Sequence, residues 1–353
     1  MLPAGKGLSE NCQEEPVSCS REQFSAPGTS SAAQTALAER FARFRTPENA
    51  GFFDALTRHF AHLRDHPVLP LHFEYAVTSN ERGRGAAEKL ARRIPLRRRG
   101  LFSQRARVLD VGCAYGGFLV AFAERGARVT GIERDERYVR LAGENVRQHG
   151  FDADIVLGDA TAAHPAFRGR FDLITANDVV EHVPRLGAFL ANLREWLAPG
   201  GAIYLEIPNG AYPPYVRKDG HHELFGIALL GFQEASDYMA RHSPGGRYDT
   251  YHYLNPEAYA RLFADHGLSF EVLPDSLAGL TVAGVLAQVE ELRASVEEGV
   301  ATVPAESREL VRQRVAQYLA RVEAAPRATA EEQSRFLLEY GPSFWTSIAR
   351  ARA

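Results

Sequence analysis

Cysteine is scarce in this chain. Cys12, Cys19 and Cys113 are the three among 353 residues, too few and too unevenly placed for a disulfide framework, so a reducing interior is the default. Also missing is any run of the roughly 18 consecutive apolar residues that a spanning helix needs. The N-terminus lacks the basic-then-apolar pattern of a secretory signal. These absences make the expected location cytoplasmic, with no membrane partner. A strong excess of one charge is lacking too: the net charge is −3, which argues against an overall electrostatic grip on nucleic acid. The one basic cluster, Arg92-Arg93-Ile94-Pro95-Leu96-Arg97-Arg98-Arg99, reads as a solvated face or loop, with nucleic acid or a phosphorylated acceptor as the alternative. What remains is an ordinary globular composition, 45% hydrophobic and 24% charged, long enough for one large domain or a domain with a sizeable extension.

Residues 1–32 are rich in Ser, Gly, Pro, Gln and Glu without periodicity and read as a disordered leader. Over 33–100 the pattern turns helical. Leu37, Phe41 and Phe44 recur at helical spacing, Phe52, Phe53, Leu56 and Phe60 follow Pro47, and Ser79-Asn80-Glu81 offers a cap to a further helix. These helices read as packing, or as part of a lid. Strand and helix patterns then alternate: strands at 108–111, 128–132, 154–157, 171–175 and 202–207, helices at 117–125, 135–149 and 186–197. That alternation predicts an α/β domain over 101–275, a parallel-dominated sheet with helices on both faces. Between 208 and 255 the rhythm breaks into a stretch rich in Tyr, His, Pro and Gly, too long for a simple connection and therefore a candidate acceptor insertion. Asn255-Pro256 opens a helix that Gly267 ends, and 268–273 reads as a closing strand. Residues 276–353 read as a C-terminal helical extension. Its stripes, Val282, Val285, Leu286, Val289, Leu292 and Val296, then Val311, Val315, Tyr318, Leu319 and Val322, pack on the same chain or form a homodimer contact.

The chemistry starts at Arg107-Val-Leu-Asp110-Val-Gly112-Cys113-Ala114-Tyr-Gly116-Gly-Phe118. An apolar run ends in an acid, passes a glycine turn and re-emerges as a helix, which brings backbone N–H groups and a carboxylate to the carboxyl end of a strand. Glu133 ends the second strand, where an acid suits two ribose hydroxyls. A nicotinamide dehydrogenase is the first competitor. The turn, however, lacks the spaced G-x-G-x-x-G, and it carries an acid where a phosphate would need none. A carboxylate facing a ligand favours a nucleoside with a cationic centre and no phosphates.

At this point the sequence resembles the class I S-adenosylmethionine-dependent methyltransferases, over roughly 107–273. Asp110-Val-Gly112-Cys-Ala114-Tyr-Gly116 is similar to their D-x-G-x-G-x-G, with Ala114 in place of the middle glycine. Asp178-Val-Val-Glu181-His182-Val, Leu-Ala-Pro-Gly-Gly201 and Ile-Pro208-Asn209 resemble the branch of ubiquinone-biosynthesis O-methyltransferases and of many natural-product and sugar enzymes. The resemblance implies a Rossmann-like fold and S-adenosylmethionine as cofactor. It places Gly112, Cys113, Ala114 and Gly116 along the methionine part with Asp110 nearby, Glu133 on the ribose with Arg134 beside it, Asp159 on the adenine amino group with Ala160 beside the ring, and Asn177 and Asp178 where the family reaches cofactor and acceptor. Cys113 reads as a small packing residue rather than a nucleophile.

The expected reaction is methyl transfer to an oxygen or nitrogen of a small-molecule acceptor in secondary or glycan metabolism. A hydroxyl acceptor needs a general base, and histidine suits neutral pH. His182 is the positional favourite, with His222 and His252 as the other candidates; His221 and Glu223 share their segment, and Glu181 reads equally as a structural cap or pair and as part of the site. No metal is assigned. His221-His222-Glu223 lacks the H-E-x-x-H spacing, and adjacent side chains seldom face one ion. Comparing Asp178 and Glu206 or Asn209 with the carboxylates of metal-assisted methyltransferases keeps that alternative open. Ala176-Asn177-Asp178-Val-Val is not the Asn/Asp-Pro-Pro-aromatic pattern of enzymes acting on exocyclic amines of DNA and RNA. A non-catalytic binder and a different reaction on the same fold are the remaining alternatives.

Overall fold

A computed structural model describes residues 31–65, 69–93 and 106–352. The expected leader lies outside these residues except for Ser31 and Ala32, which already belong to a helix, and so does the basic cluster beyond Arg93. Four helices come first: α1 (Ser31–Arg40), α2 (Ala50–Phe60), α3 (Leu69–Val77) and α4 (Ser79–Arg93). The alternating core follows as β1 (Arg107–Val111), α5 (Gly117–Ala123), β2 (Arg128–Glu133), α6 (Glu136–Gln148), β3 (Asp154–Leu157), β4 (Phe171–Asn177), α7 (Leu186–Trp196) and β5 (Leu197–Pro208). The break in rhythm holds α8 (Pro213–Arg217) and α9 (Phe232–His242), and the chain returns through α10 (Pro256–Asp265) and β6 (Glu271–Val272). Then come α11 (Val282–Ala294), α12 (Val296–Thr302), α13 (Arg308–Ala324), α14 (Ala330–Tyr340) and β7 (Phe344–Ala349).

The sheet runs β3-β2-β1-β4-β5-β7-β6. Its first five members are parallel, and β7 is antiparallel to both β5 and β6. The central strands are apolar along their length because helices cover both faces. Local rules fix the ends of the elements. Asp135 accepts from the Arg137 N–H at the start of α6. Asn255 accepts from Ala258 N–H, with Pro256 in the first turn of α10. Parallel register sets Asp110 beside Gly131 on one side and Thr175 on the other. The ends of β1, β2 and β4 therefore meet at one edge of the sheet.

Two expectations change. The segment 276–353 is not helical throughout, because Phe344–Ala349 pairs with β5 over six residues, from Ile203↔Ala349 to Pro208↔Phe344. The closing strand expected over 268–273 shrinks to Glu271–Val272, since β7 now lies between it and β5. Asn209 ties that arrangement down: its Nδ2 donates to the Glu339 and Pro342 carbonyls at 2.8 and 2.9 Å, and its Oδ1 accepts from Ala211 N–H at 2.9 Å.

The helical stripes of the C-terminal segment are consumed within the chain. Val285, Val289, Leu292, Val311, Val315, Tyr318 and Val322 form one buried cluster with Val216, Phe225, Ile227 and Tyr238 of the insertion. Val282, Leu286 and Val296 of the same stripes are partly buried against this cluster. The N-terminal helices cover the opposite flank, where Phe52, Phe53, Leu56, Phe60 and Phe73 pack with Tyr115 and Leu141. α4 meets α5 at two glycines: a Cβ on Gly117 would fall 2.2 Å from the Ser79 carbonyl oxygen, and one on Gly83 would fall 2.3 Å from that of Gly117. No helix among the described residues is long and apolar enough to cross a membrane.

Candidate active site

The edge where β1, β2 and β4 end carries a cavity of about 440 Å³, within the usual range for small-ligand sites. Gly112, Ala114, Glu133, Asp159 and Asn177 line it from the sheet, and His72 and Tyr75 from α3. Asp178, His182, Arg185 and Asp249 close the far side. The N-terminal helices thus contribute to the wall.

The glycine turn takes a left-handed path, with φ of 66° at Gly112, 41° at Ala114 and 75° at Gly116. Such angles suit glycine and cost alanine, so Ala114 holds a conformation that the residue it replaces would adopt freely. A Cβ on Gly112 would meet Val179 at 2.7 Å. Glu133 is fixed by two backbone donors: Ala114 N–H to Oε2 at 3.1 Å and Asp135 N–H to Oε1 at 3.0 Å. The acid at the end of β2 and the turn after β1 therefore hold each other in place.

Asp110 lies beneath the turn, where a smaller cavity of about 50 Å³ is also lined by Tyr75, Arg82, Cys113 and Asn177. The Thr175 hydroxyl donates to Asp110 at 2.7 Å. Burial pushes the Asp110 carboxyl up to about 7; the Thr175 hydrogen bond opposes this and the Glu133 charge adds to it. The Cys113 thiol is buried and pushed up by that burial, with the Asp110 and Glu133 charges adding, which suits packing and not nucleophilic attack. Asp159 lies on the rim, accepting from Thr161 N–H at 2.7 Å, with Ala160 beside it in the lining. Arg134 is exposed at the edge of the cavity. Asn177 Oδ1 is buried without a hydrogen-bond partner.

These features fit S-adenosylmethionine. Three carboxylates at successive strand ends match ribose hydroxyls, an exocyclic amine and cationic groups. The orphaned Asn177 oxygen lacks only a donor, which an ammonium end supplies.

Beyond Asn177 the wall turns acidic and imidazole-rich. Asp178 has a left-handed φ of 58° and accepts from the Tyr75 hydroxyl at 3.3 Å. Glu181 and His182 follow in the 3₁₀ turn Val180–His182. His182 Nδ1 lies 2.9 Å from the Asp249 carbonyl oxygen. The insertion brings in His221, whose Nδ1 is 3.0 Å from the Tyr253 hydroxyl and whose Nε2 is 3.5 Å from Glu181 Oε1 and 3.7 Å from Asp178 Oδ1. Asp219 shapes that loop by accepting from the N–H groups of His221, His222 and Leu224. Burial lowers the His182 pKa. Burial also opposes charge on His221, but Asp178 and Glu181 outweigh it and push the ring up to about 10.

The structure brings His182 to the cavity and sets the other two expected bases elsewhere. His222 points the other way, its Nδ1 3.6 Å from Asp219 and its Nε2 3.5 Å from Asp249. His252 lines a separate cavity, its Nε2 3.0 Å from the Val183 carbonyl oxygen. His252 holds the insertion against the turn after β4, whereas His222 is held by partners within the insertion itself. Glu206 and Asn209 also leave the site, Glu206 to Lys89 and the Tyr204 hydroxyl and Asn209 to the C-terminal segment. His221 is the residue the spacing did not single out. Its signal was weak, because two adjacent histidines with opposite directions look alike in sequence.

The chain is similar to several known proteins. Residues 81–272 match the family described as methyltransferase domain. The ubiquinone biosynthesis O-methyltransferase of Thiobacillus denitrificans is 30% identical over 170 residues, covering 47% of this chain and 66% of that protein. The protein of the same description from Azoarcus sp. is 29% identical over 178 residues, covering 50% and 67%. The matched stretch thus spans about two thirds of these curated relatives and half of this chain. Among solved structures, phosphoethanolamine N-methyltransferase 2 of Haemonchus contortus, in complex with S-adenosyl-L-methionine, superposes with a TM-score of 0.40 at 15% identity over 76% of this chain and 52% of that one. With the glycine turn, the strand-end acids and the family match in agreement, the chain belongs to the class I S-adenosylmethionine-dependent methyltransferases.

Proposed function

We propose that this chain transfers a methyl group from S-adenosylmethionine to an oxygen of a small-molecule acceptor. The observation that carries the reading is the cluster of Asp178, Glu181, His182 and His221, of which Asp178 and His182 line the cavity that holds the strand-end acids while Glu181 and His221 lie behind them. When bound, the cofactor supplies a methyl group on a cationic sulfur, already electrophilic. What is left to the chain is alignment, exclusion of water and handling of the acceptor's proton. Glu133 is assigned the ribose and Asp159 the adenine amino group. Asp110 and Asn177 take the methionine end. Tyr75 and His72 screen the cavity from above.

A hydroxyl acceptor has to give up a proton, and the cluster stands where that proton leaves. The names of the curated relatives, ubiquinone biosynthesis O-methyltransferases, point the same way. The test is incubation of the purified chain with methyl-labelled cofactor and a panel of hydroxylated aromatics, sugars and amines. Label in an ether linkage supports the proposal. Label in amines alone overturns the choice of oxygen. Tight cofactor binding without transfer to any acceptor favours a non-catalytic role.

A further inference from the structure

We propose that the insertion and the C-terminal helices enclose a second ligand site, separate from the cofactor cavity, that takes a sugar ring. Its cavity has a volume of about 390 Å³ and draws its lining from 209–211, 228–232 and 248–255, with Arg321, Glu339, Tyr340 and Trp345. That size is within the usual range for small-ligand sites. It shares no lining residue with the cofactor cavity. One stretch of chain walls both: Asp249 lines the cofactor side, while Tyr248, Thr250 and Tyr251 line the other.

The wall is held in place before any ligand arrives. Tyr251 N–H donates to the Glu181 carbonyl at 2.7 Å, and His252 Nε2 lies 3.0 Å from the Val183 carbonyl oxygen. The Tyr253 ring packs so closely on the Gly210 backbone that a Cβ there would fall 2.6 Å from it. Trp345 is buried, and its indole N–H is spent on the Leu338 carbonyl at 2.8 Å, so that end offers apolar ring surface. Nearer the solvent, Phe232 and Tyr251 stack with ring centroids 4.4 Å apart. Phe232 is 38% exposed, an aromatic ring left in water where it can cover an apolar ligand face.

The polar groups choose the ligand. The Arg321 guanidinium only donates and the Glu339 carboxylate only accepts. Both line the cavity, and among the described residues no ion pair joins them. Their charges cancel, which disfavours an ion and suits a neutral molecule. His252 Nε2 faces a carbonyl, so it carries the proton and leaves Nδ1 as an acceptor. The Thr250 hydroxyl is buried and has no partner in hydrogen-bond geometry, although the Tyr248 phenol is near. Open donors and acceptors set around ring faces match a molecule with hydroxyls along its edge and C–H bonds on its face. A sugar ring has both. The assignment is independent of the oxygen-transfer reading, since it uses no residue of the cofactor cavity.

The test uses the full chain saturated with S-adenosylhomocysteine, so that the cofactor cavity is filled. The probes are the methyl glycosides of glucose, galactose, mannose and N-acetylglucosamine, with catechol as the flat aromatic control. Binding is followed by saturation-transfer NMR and calorimetry, and saturable binding of at least one glycoside is expected. Phe232→Ala and Glu339→Gln should each weaken it about tenfold. Glu339→Gln keeps the main-chain carbonyl that Asn209 uses, and circular dichroism checks the fold of both variants; if one does not fold, the other carries the comparison. Binding of no glycoside, or equal binding by the folded variants and the wild type, overturns the site. Binding lost in His182→Ala but kept in Phe232→Ala moves the sugar to the acceptor side and overturns it as well. Binding of catechol alone overturns the choice of a sugar. Glycoside binding that Phe232→Ala weakens, in a chain that takes up no S-adenosylhomocysteine, supports the site and overturns the transfer reading.

Discussion

Replacing Asp110 by asparagine should leave the free protein more stable than the wild type at pH 8 while weakening its hold on the cofactor. Asp110 is 3% exposed, and burial lifts its carboxyl from 3.8 to about 7. Between those two values the folded protein keeps a proton that the unfolded chain has released. Stability therefore falls as pH rises through this window, by about 1.4 kcal/mol per pH unit. Across the whole window the loss is at most about 4.4 kcal/mol. Below 3.8 both states are protonated, and above about 7 both are ionised, so the curve is flat on either side. Asparagine does not titrate and removes the slope. Urea denaturation of both proteins at pH 5, 6, 7 and 8 measures it: the gap should widen with each step to pH 7 and then hold. Parallel curves would refute a buried carboxyl that titrates late. The same linkage acts on the ligand. A cationic ligand end favours the ionised acid, so wild-type affinity for S-adenosylmethionine should rise by up to about tenfold per unit toward pH 7. The variant should show no such rise and should bind more weakly at pH 8.

Three further substitutions probe neighbouring parts of the fold. Ala114→Gly should stabilise the protein by about 0.5–1 kcal/mol, since relief of a left-handed alanine worth roughly 1–2 kcal/mol outweighs the entropy glycine adds to the unfolded chain; a lower melting temperature would contradict this. Glu133→Gln removes one of two backbone-held acceptor oxygens and should weaken cofactor binding by about 1.5–3 kcal/mol, and unchanged affinity in calorimetry would reject its place on the ribose. Asn209→Ala deletes three hydrogen bonds and should cost about 2–4 kcal/mol. Limited proteolysis should then cut first between Ala330 and Phe344; an unchanged digestion pattern would show that β7 holds without Asn209.

The cofactor side of the molecule was written locally. Asp110, Gly112 and Gly116 lie within one turn, and Glu133 and Asp159 each end a strand that hydrophobic pattern alone marks out. Their meeting follows from parallel register, which needs no long-range guess. The acceptor side was different. His221 joins Glu181 because Asp219 bends the insertion and because Tyr251 N–H pairs with the Glu181 carbonyl at 2.7 Å. Nothing near either residue in the sequence announces that pairing. The sequence favours His222 over His221 without a physical ground, because adjacent residues on an irregular loop share composition but not direction. The strand at Phe344–Ala349 has β-branched and aromatic residues of its own. The strong helical stripes before it, through Val322, carry the helical expectation over it.

The placement of β7 has a consequence for how the chain acquires its structure. β5 is finished at Pro208, yet its outer edge finds its partner only in Phe344–Ala349. Until everything between has been synthesised, that edge presents unpaired backbone groups along an apolar strand, an invitation to the wrong partner. The same delay holds for β6, whose neighbour in the sheet is also β7. Pairings this distant in sequence are slow to close, so a nascent chain waits longest at the flank where the acceptor insertion emerges. Ribosome-bound chains halted before Phe344 should therefore be bound by chaperones or cut by proteases at β5, while the half that holds the methyl donor already resists both.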